Sequence, residues 1–195
     1  MKGRLDVRKV IVSEMVSLDG FFAGPNGDID WHVVDEDFND FAIAQLNEVD
    51  ALLFGRVTYQ LMASYWPTDA ALQDDPEVAN KMNTLSKVVF SNTLDTVTWG
   101  TWDNVQLAKG DIGQEVTRLK QQPGKDMAIF GSGSIVTALA QLGLIDEYRL
   151  TVAPVVLGRG MPLFRGITAP IKLKLLQTKT LKSGVELLYY APDGK

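Results

Sequence analysis

The chain has 195 residues, 46% of them hydrophobic, which suits one domain of ordinary size with a substantial core. Its 19 Lys and Arg against 24 Asp and Glu leave a net charge of −5, which argues against the basic stripe of a general phosphate-backbone binder. With no cysteine and one histidine, His32, the chain excludes disulfides, thiol nucleophiles, Cys-ligated metals and two-histidine metal sites, and with them the zinc chemistry of nucleobase deaminases.

In chain order, Met1–Lys9 is basic but has no apolar signal core behind it. Val10-Ile11-Val12 is cut short by Ser13 and Glu14, so neither a secretory signal nor a membrane span is expected. The expectation is a soluble cytoplasmic protein with no nucleic-acid or membrane partner and no metal. A strand over Lys9–Val16 leads into Ser17-Leu18-Asp19-Gly20 and then a glycine-rich loop, Gly24–Trp31, of the kind that folds over a ligand. Phe38, Phe41, Ala42, Leu46 and Val49 share one face of a helix starting near Asp35. A strand over Ala51–Phe54 follows, and Pro67–Pro76 reads as a surface loop. After a strand over Lys87–Phe90, Asp111 and Gln114 make a capping box for a helix carrying Val116 and Leu119 toward Gly124. A strand over Met127–Phe130 precedes a helix opening at Ser134, with Ile135, Leu139 and Leu142 inward and Gly143 as its stop. The remaining strands are Glu147–Ala153, Lys172–Thr180 and Val185–Tyr190, the last two forming a hairpin around Leu181–Gly184. Strands and helices alternate to about residue 145 and only strands follow, which predicts an α/β sheet, parallel in its middle and finished by antiparallel strands.

A strand–glycine–helix junction occurs twice, at Gly55-Arg56-Val57-Thr58 and at Gly131-Ser132-Gly133-Ser134. Glycine permits the sharp turn and close ligand approach, and the helix that follows offers free N–H groups at its positive end. Either junction alone reads as a tight connection. Together, at one edge of a parallel sheet, they suit a diphosphate. Gly131-x-Gly133 lacks the third glycine of the Rossmann fingerprint, and the chain has no Walker loop. Among the acids, Asp35 reads as a helix cap. Asp37, beside Phe38 and Phe41, would have a raised pKa and handle a proton if it turned inward. Asp19 fits a turn or a substrate contact equally, and His32 reads as a surface residue.

Ser17–Gly20, Leu53–Tyr59, Val88–Leu94, Phe130–Gly133, Leu144–Tyr148 and Pro154–Gly160, in this order and spacing, resemble the dihydrofolate reductase superfamily. More narrowly, they are similar to the C-terminal reductase domain of the riboflavin-biosynthesis deaminase–reductase and its stand-alone relatives. The resemblance covers Lys9 to Tyr190. It implies one domain over residues 1–195 with a three-layer α/β fold, a mixed, mostly parallel sheet of about eight strands flanked by helices and closed by an antiparallel hairpin. It implies a homodimer acting on a small molecule, with NADPH as hydride donor. By this resemblance Gly55, Arg56, Val57 and Thr58 hold pyrophosphate and ribose, Gly131, Ser132, Gly133 and Ser134 grip the diphosphate, and Ser91, Asn92 and Thr93 line the adenosine-phosphate pocket. Family members often carry Arg where Asn92 stands, so NADH remains open beside NADPH. Asp37, four residues before Phe41, matches the substrate carboxylate of dihydrofolate reductases, with Glu36 as competitor, and Asp19 would face the substrate in the riboflavin-type branch. The implied activity is NAD(P)H-dependent reduction of a small heterocycle such as 5-amino-6-(5-phosphoribosylamino)uracil. Dihydrofolate reduction and a non-catalytic nucleotide-binding module are the alternatives.

Overall fold

The computed structural model describes residues 7–194, so the segment Met1–Asp6 considered above lies outside it. In chain order the elements are β1 (Val10–Ser17), β2 (Phe21–Ala23), α1 (Glu36–Glu48), β3 (Val49–Gly55), α2 (Arg56–Tyr65), α3 (Asp69–Asp74), α4 (Pro76–Thr84) and β4 (Ser86–Phe90). Then come β5 (Val105–Ala108), α5 (Ile112–Lys120), β6 (Asp126–Phe130), α6 (Gly133–Gln141), β7 (Glu147–Ala153), β8 (Met161–Pro162), β9 (Leu173–Thr180) and β10 (Glu186–Pro192). Eight strands form one sheet in the order β5-β4-β3-β6-β1-β7-β10-β9. The pairs from β5 to β7 are parallel, and β10 pairs antiparallel with both β7 and β9.

The central strands are continuous apolar runs because helices cover both of their faces. Val10, Val12, Leu53, Val88 and Ile129 pack with Val116 and Leu119 of α5 and Ile135 and Leu139 of α6. Their alternating neighbours Ile11, Leu52, Phe54, Val89 and Ala128 pack on the opposite face with Leu46 of α1, Tyr59 of α2 and Met82 of α4. At the start of β4 the fully buried Lys87 donates from Nζ to Asn83 O (2.7 Å) and Asn104 Oδ1 (3.1 Å) and lies over the Trp99 ring. Desolvation pushes its pKa down to about 7.

The order of strands creates a crevice. From β3 the chain crosses through α2 to β4, whereas from adjacent β6 it crosses through α6, past β1, to β7. Two neighbouring strands thus send their helices to opposite faces, and the space between the departing turns is where ligands bind in open α/β sheets.

The predicted surface loop at Pro67–Pro76 is instead α3 and the first residue of α4. Thr68 accepts from Ala71 N, and Asp75 accepts from Val78 N with Pro76 in the first turn of α4. The polar residues that read as loop are helix caps. Strand β5 and the β2–β8 pair were not expected; both are short, and neither has an apolar period long enough to register.

Candidate functional site

The two glycine elbows are held against each other. Ser132 Oγ accepts from Gly55 N at 2.9 Å, and Thr58 Oγ1 donates to Gly131 O. Gly131 has φ +67°, and an added Cβ there would lie 3.0 Å from Thr58 Cγ2. At Gly133 a Cβ would come within 2.7 Å of the Phe22 ring. Only glycine fits this packing. Helices α1, α3, α4 and α5 each have a first-turn amide satisfied by a capping side chain (Asp35, Thr68, Asp75 and Asp111), but α2 and α6 have no side-chain cap among the described residues. Both open helix starts face one cleft of about 1140 Å³. Its lining includes all eight elbow residues, Gly55–Thr58 and Gly131–Ser134, together with Arg159 and Arg165 from the segment before β9. Three guanidinium groups and two positive helix ends therefore converge in a chain of net negative charge.

Ser91, Asn92 and Thr93 stand just past Phe90, which lines the cleft and pairs with Gly55. They do not line it themselves. Ser91 Oγ accepts from Thr93 N and Leu94 N, and Asn92 Oδ1 accepts from Gly110 N at 2.8 Å, so these side chains hold the turn.

A second cavity, of about 550 Å³, lies between the sheet, α1 and α2. It shares Phe22, Val57, Thr58 and Gly131 with the larger cleft, so a ligand in one abuts a ligand in the other. Its walls are largely apolar, including Phe38, Phe41, Leu46, Met62 and Trp66. Gln45 and His32 line it as well, and Gln45 Oε1 and His32 Nε2 are buried with no hydrogen-bond partner among the described residues. His32 is half-buried rather than at the surface as expected, and it packs edge-on against Trp31 with ring centroids 4.5 Å apart. Burial lowers its pKa and so favours the neutral ring, opposed by a backbone hydrogen bond at Phe22.

The three carboxylates singled out from the sequence lie outside both cavities. Asp37 pairs with Lys182 of the β9–β10 turn, its Oδ1 3.0 Å from Lys182 Nζ, and this contact holds its pKa below the ordinary carboxylate value. The inward-turned, raised-pKa acid expected at this position is not found there. Glu36 is exposed in the first turn of α1. Asp19 accepts from Ser17 Oγ (2.7 Å), Leu157 N (3.1 Å) and Gly158 N (2.7 Å), and its pKa is lowered, first by the Ser17 bond. It fastens the end of β1 to the 155–160 loop.

The buried acid is Glu14, read from the sequence only as a polar break in a strand. Alternation along β1 sends Ser13 and Met15 toward the α1 face and Glu14 to the other, beside the second elbow. Desolvation raises its pKa to about 8, against the opposing pull of the Gly131 and Ser132 amides, and its Oε1 has no partner among the described residues. Glu14 is thus mostly protonated at neutral pH. The signal available was a glutamate inside an otherwise apolar strand, where an acid persists only if neutralised or bound.

Replacing Ser132 by Ala leaves the buried Gly55 N–H without its acceptor and is expected to lower unfolding stability by about 1–3 kcal/mol in urea titrations. For Glu14, the folded pKa of about 8 exceeds the ordinary 4.5, so the native state binds the proton more tightly and loses stability as pH rises from 4.5 through 8. The stability advantage of Glu14→Gln over wild type should therefore widen between about pH 5 and about pH 8. A constant difference would mean that Glu14 does not titrate in that range.

These features match known proteins. The profile described as the RibD C-terminal domain matches residues 8–187. The uncharacterized protein YyaP of Bacillus subtilis is 38% identical over 197 residues, with all of both chains covered. A crystal structure titled as a putative riboflavin biosynthesis protein from Shewanella sp. PV-4 superposes with a TM-score of 0.74 at 25% identity, covering 95% of this chain and 99% of that one. Dihydrofolate reductase from Enterococcus faecalis, solved with NADP(H), shares the fold with a TM-score of 0.64 at 14% identity, covering 95% and 96% of the two chains. With the profile spanning nearly the whole chain and the fold in agreement, the chain belongs to the RibD C-terminal domain family.

Proposed function

We propose that the chain is an NAD(P)H-dependent reductase of a small heterocyclic molecule, of the riboflavin-biosynthesis type. The observation that carries this reading is the pair of uncapped helix starts, α2 and α6, opening into one cleft with Arg56, Arg159 and Arg165. A dinucleotide diphosphate fits that donor set. The glycines admit it to the backbone, the free amides donate to its oxygens, and the arginines balance its charge. NADPH is preferred over NADH here on the family likeness, since Asn92 itself brings no charge to a 2′-phosphate.

Bound nicotinamide supplies the hydride. The chain's own part is placement. Phe22, Val57, Thr58 and Gly131 form the seam between cleft and cavity, where hydride donor and acceptor would meet. The apolar walls of the cavity exclude water, and Glu14, which holds a proton at neutral pH beside Gly131, is a buried proton store next to that seam. Dihydrofolate reduction draws no support from Asp37, which faces Lys182 instead of the cavity. A cytoplasmic setting goes with this reading, since the chain holds no cysteine for an oxidising compartment to cross-link.

Titration with NADPH and NADH, followed by nicotinamide fluorescence, should show binding, tighter for NADPH. Arg56→Ala should weaken it about tenfold, equivalent to about 1.4 kcal/mol. Failure of both nucleotides to bind at millimolar concentration would end the proposal. A homodimer belongs to the same reading. The edge strand β9 is exposed along its whole length and carries Leu173, Leu175 and Leu176, an edge that a second copy would cover. Light scattering after size exclusion should give twice the 21.5 kDa chain mass, and a monomer would reject the dimer.

A further inference from the structure

We infer that the smaller cavity takes a flat, uncharged ring system with a lactam or imide edge, anchored by Gln45 and His32, and that it rejects substrates bearing a phosphate group. This rests on the reductase reading and names the substrate class of that site.

The size and walls of the cavity set the first limit. About 550 Å³ enclosed by aromatic, leucine and methionine side chains holds a two- or three-ring molecule, and such walls favour planar apolar faces. Its polar content sets the second. Gln45, on α1, lines the cavity and is only 6% exposed, and its Oε1 is buried without a partner among the described residues, so its carboxamide holds unused acceptor capacity at the cavity wall. Leaving such a group unpaired is costly, and a ligand that pairs with it recovers that cost. A carboxamide sets an acceptor and a donor side by side, which matches the adjacent N–H and C=O of a lactam or imide ring. His32 Nε2 offers a further unpaired position from the loop that precedes α1.

Charge sets the third limit. Among the described residues no Lys or Arg lines this cavity, whereas the neighbouring cleft has three arginines. The ionisable residues that do line it are Glu14, His32, Tyr65, Asp74 and Asp75. Asp74 accepts from Tyr65 Oη at 3.0 Å, and Asp75 caps α4 through its carboxylate, so both acids serve the structure of this rim as hydrogen-bond acceptors. A phosphate placed here would lose water beside two carboxylates with no counter-charge. A phosphoribosyl pyrimidine therefore does not suit this cavity, although its ring does.

Lumichrome, riboflavin and flavin mononucleotide form a matched probe set. All three carry a tricyclic ring with an imide edge, and the last two differ only by a phosphate. Lumichrome titrated into the coenzyme-free protein should quench tryptophan fluorescence, since Trp66 lines the cavity. Riboflavin and flavin mononucleotide are then ranked by their displacement of lumichrome, which discounts any flavin bound in the arginine-lined cleft. The expected result is lumichrome binding, with flavin mononucleotide at least about tenfold weaker than riboflavin as competitor, and a loss of about tenfold or more in lumichrome affinity in Gln45→Leu. His32→Phe gives the same reading if Gln45→Leu does not fold. Absence of lumichrome binding, equal or stronger competition by flavin mononucleotide, or unchanged affinity in the folded variants would overturn the assignment. An NADPH titration on the same sample separates the two claims. Lumichrome selectivity with neither NADPH nor NADH bound at millimolar concentration sinks the reductase reading alone, whereas binding of either coenzyme with a preference for the phosphorylated flavin sinks this inference alone.

Discussion

The bond from Gly55 N to Ser132 Oγ joins two chain turns that topology would otherwise let drift apart. Strands β3 and β6 are hydrogen-bonded neighbours, but their helices leave on opposite faces of the sheet, so nothing in the layers themselves sets the distance between the helix starts. The Ser132 hydroxyl and the reciprocal Thr58 contact to Gly131 do so. Each uses a hydroxyl at one helix start to satisfy a backbone group of the opposite elbow. This explains why Ser132, at the N-cap of α6, does not cap its own helix; α2 starts from Gly55, which has no side chain to cap with, so the amides of both helices remain open to the cleft.

That geometry divides the site electrically. The cleft gathers helix ends and arginines, while the cavity behind the seam has acids at its rim and a neutralised acid near its base. In low dielectric, such a difference across a few residues discriminates strongly between an anionic ligand and a neutral one. The overall charge of −5 hides it completely, because the arginines concerned come from two segments far apart in the chain, one holding Arg56 and the other Arg159 and Arg165.

Much of the fold could be read from local pattern. The apolar runs at Leu52–Phe54 and Val88–Phe90, the cap at Asp111 and the hairpin glycine at Gly184 each state a local physical preference that the tertiary structure keeps. The elbows were readable because the same strand–glycine–helix junction occurs twice, although either one alone reads as a tight connection. The cavity was not. Gln45 and Glu14 are ordinary residues for a helix and a strand, and only burial, a property of the assembled layers, turns them into unpaired polar groups. Asp37 shows the converse. Its position beside Phe38 and Phe41 suggested an inward carboxylate, but the first turn of α1 lies under the β9–β10 hairpin, where Lys182 is at hand and water is close. A charged group takes the exposed ion pair over the apolar interior whenever the backbone allows it.

Asp19 completes the logic of the Ser17–Gly20 turn. A carboxylate at a strand end near a ligand cleft invites a chemical role, but its acceptor capacity is taken up by the Ser17 hydroxyl and by two amides of the returning loop. Ser17 Oγ in turn accepts from Phe21 N, which sets the start of the segment carrying Phe22 to the seam. Gly158, one of the two amide donors, has a positive φ, and Arg159 follows it directly into the cleft wall. Removing the Asp19 carboxylate would release the loop that presents Arg159 and unsettle Phe22 through Ser17. The acid that looks catalytic in the sequence thus governs the site at one remove, by fixing where a guanidinium and an aromatic ring stand.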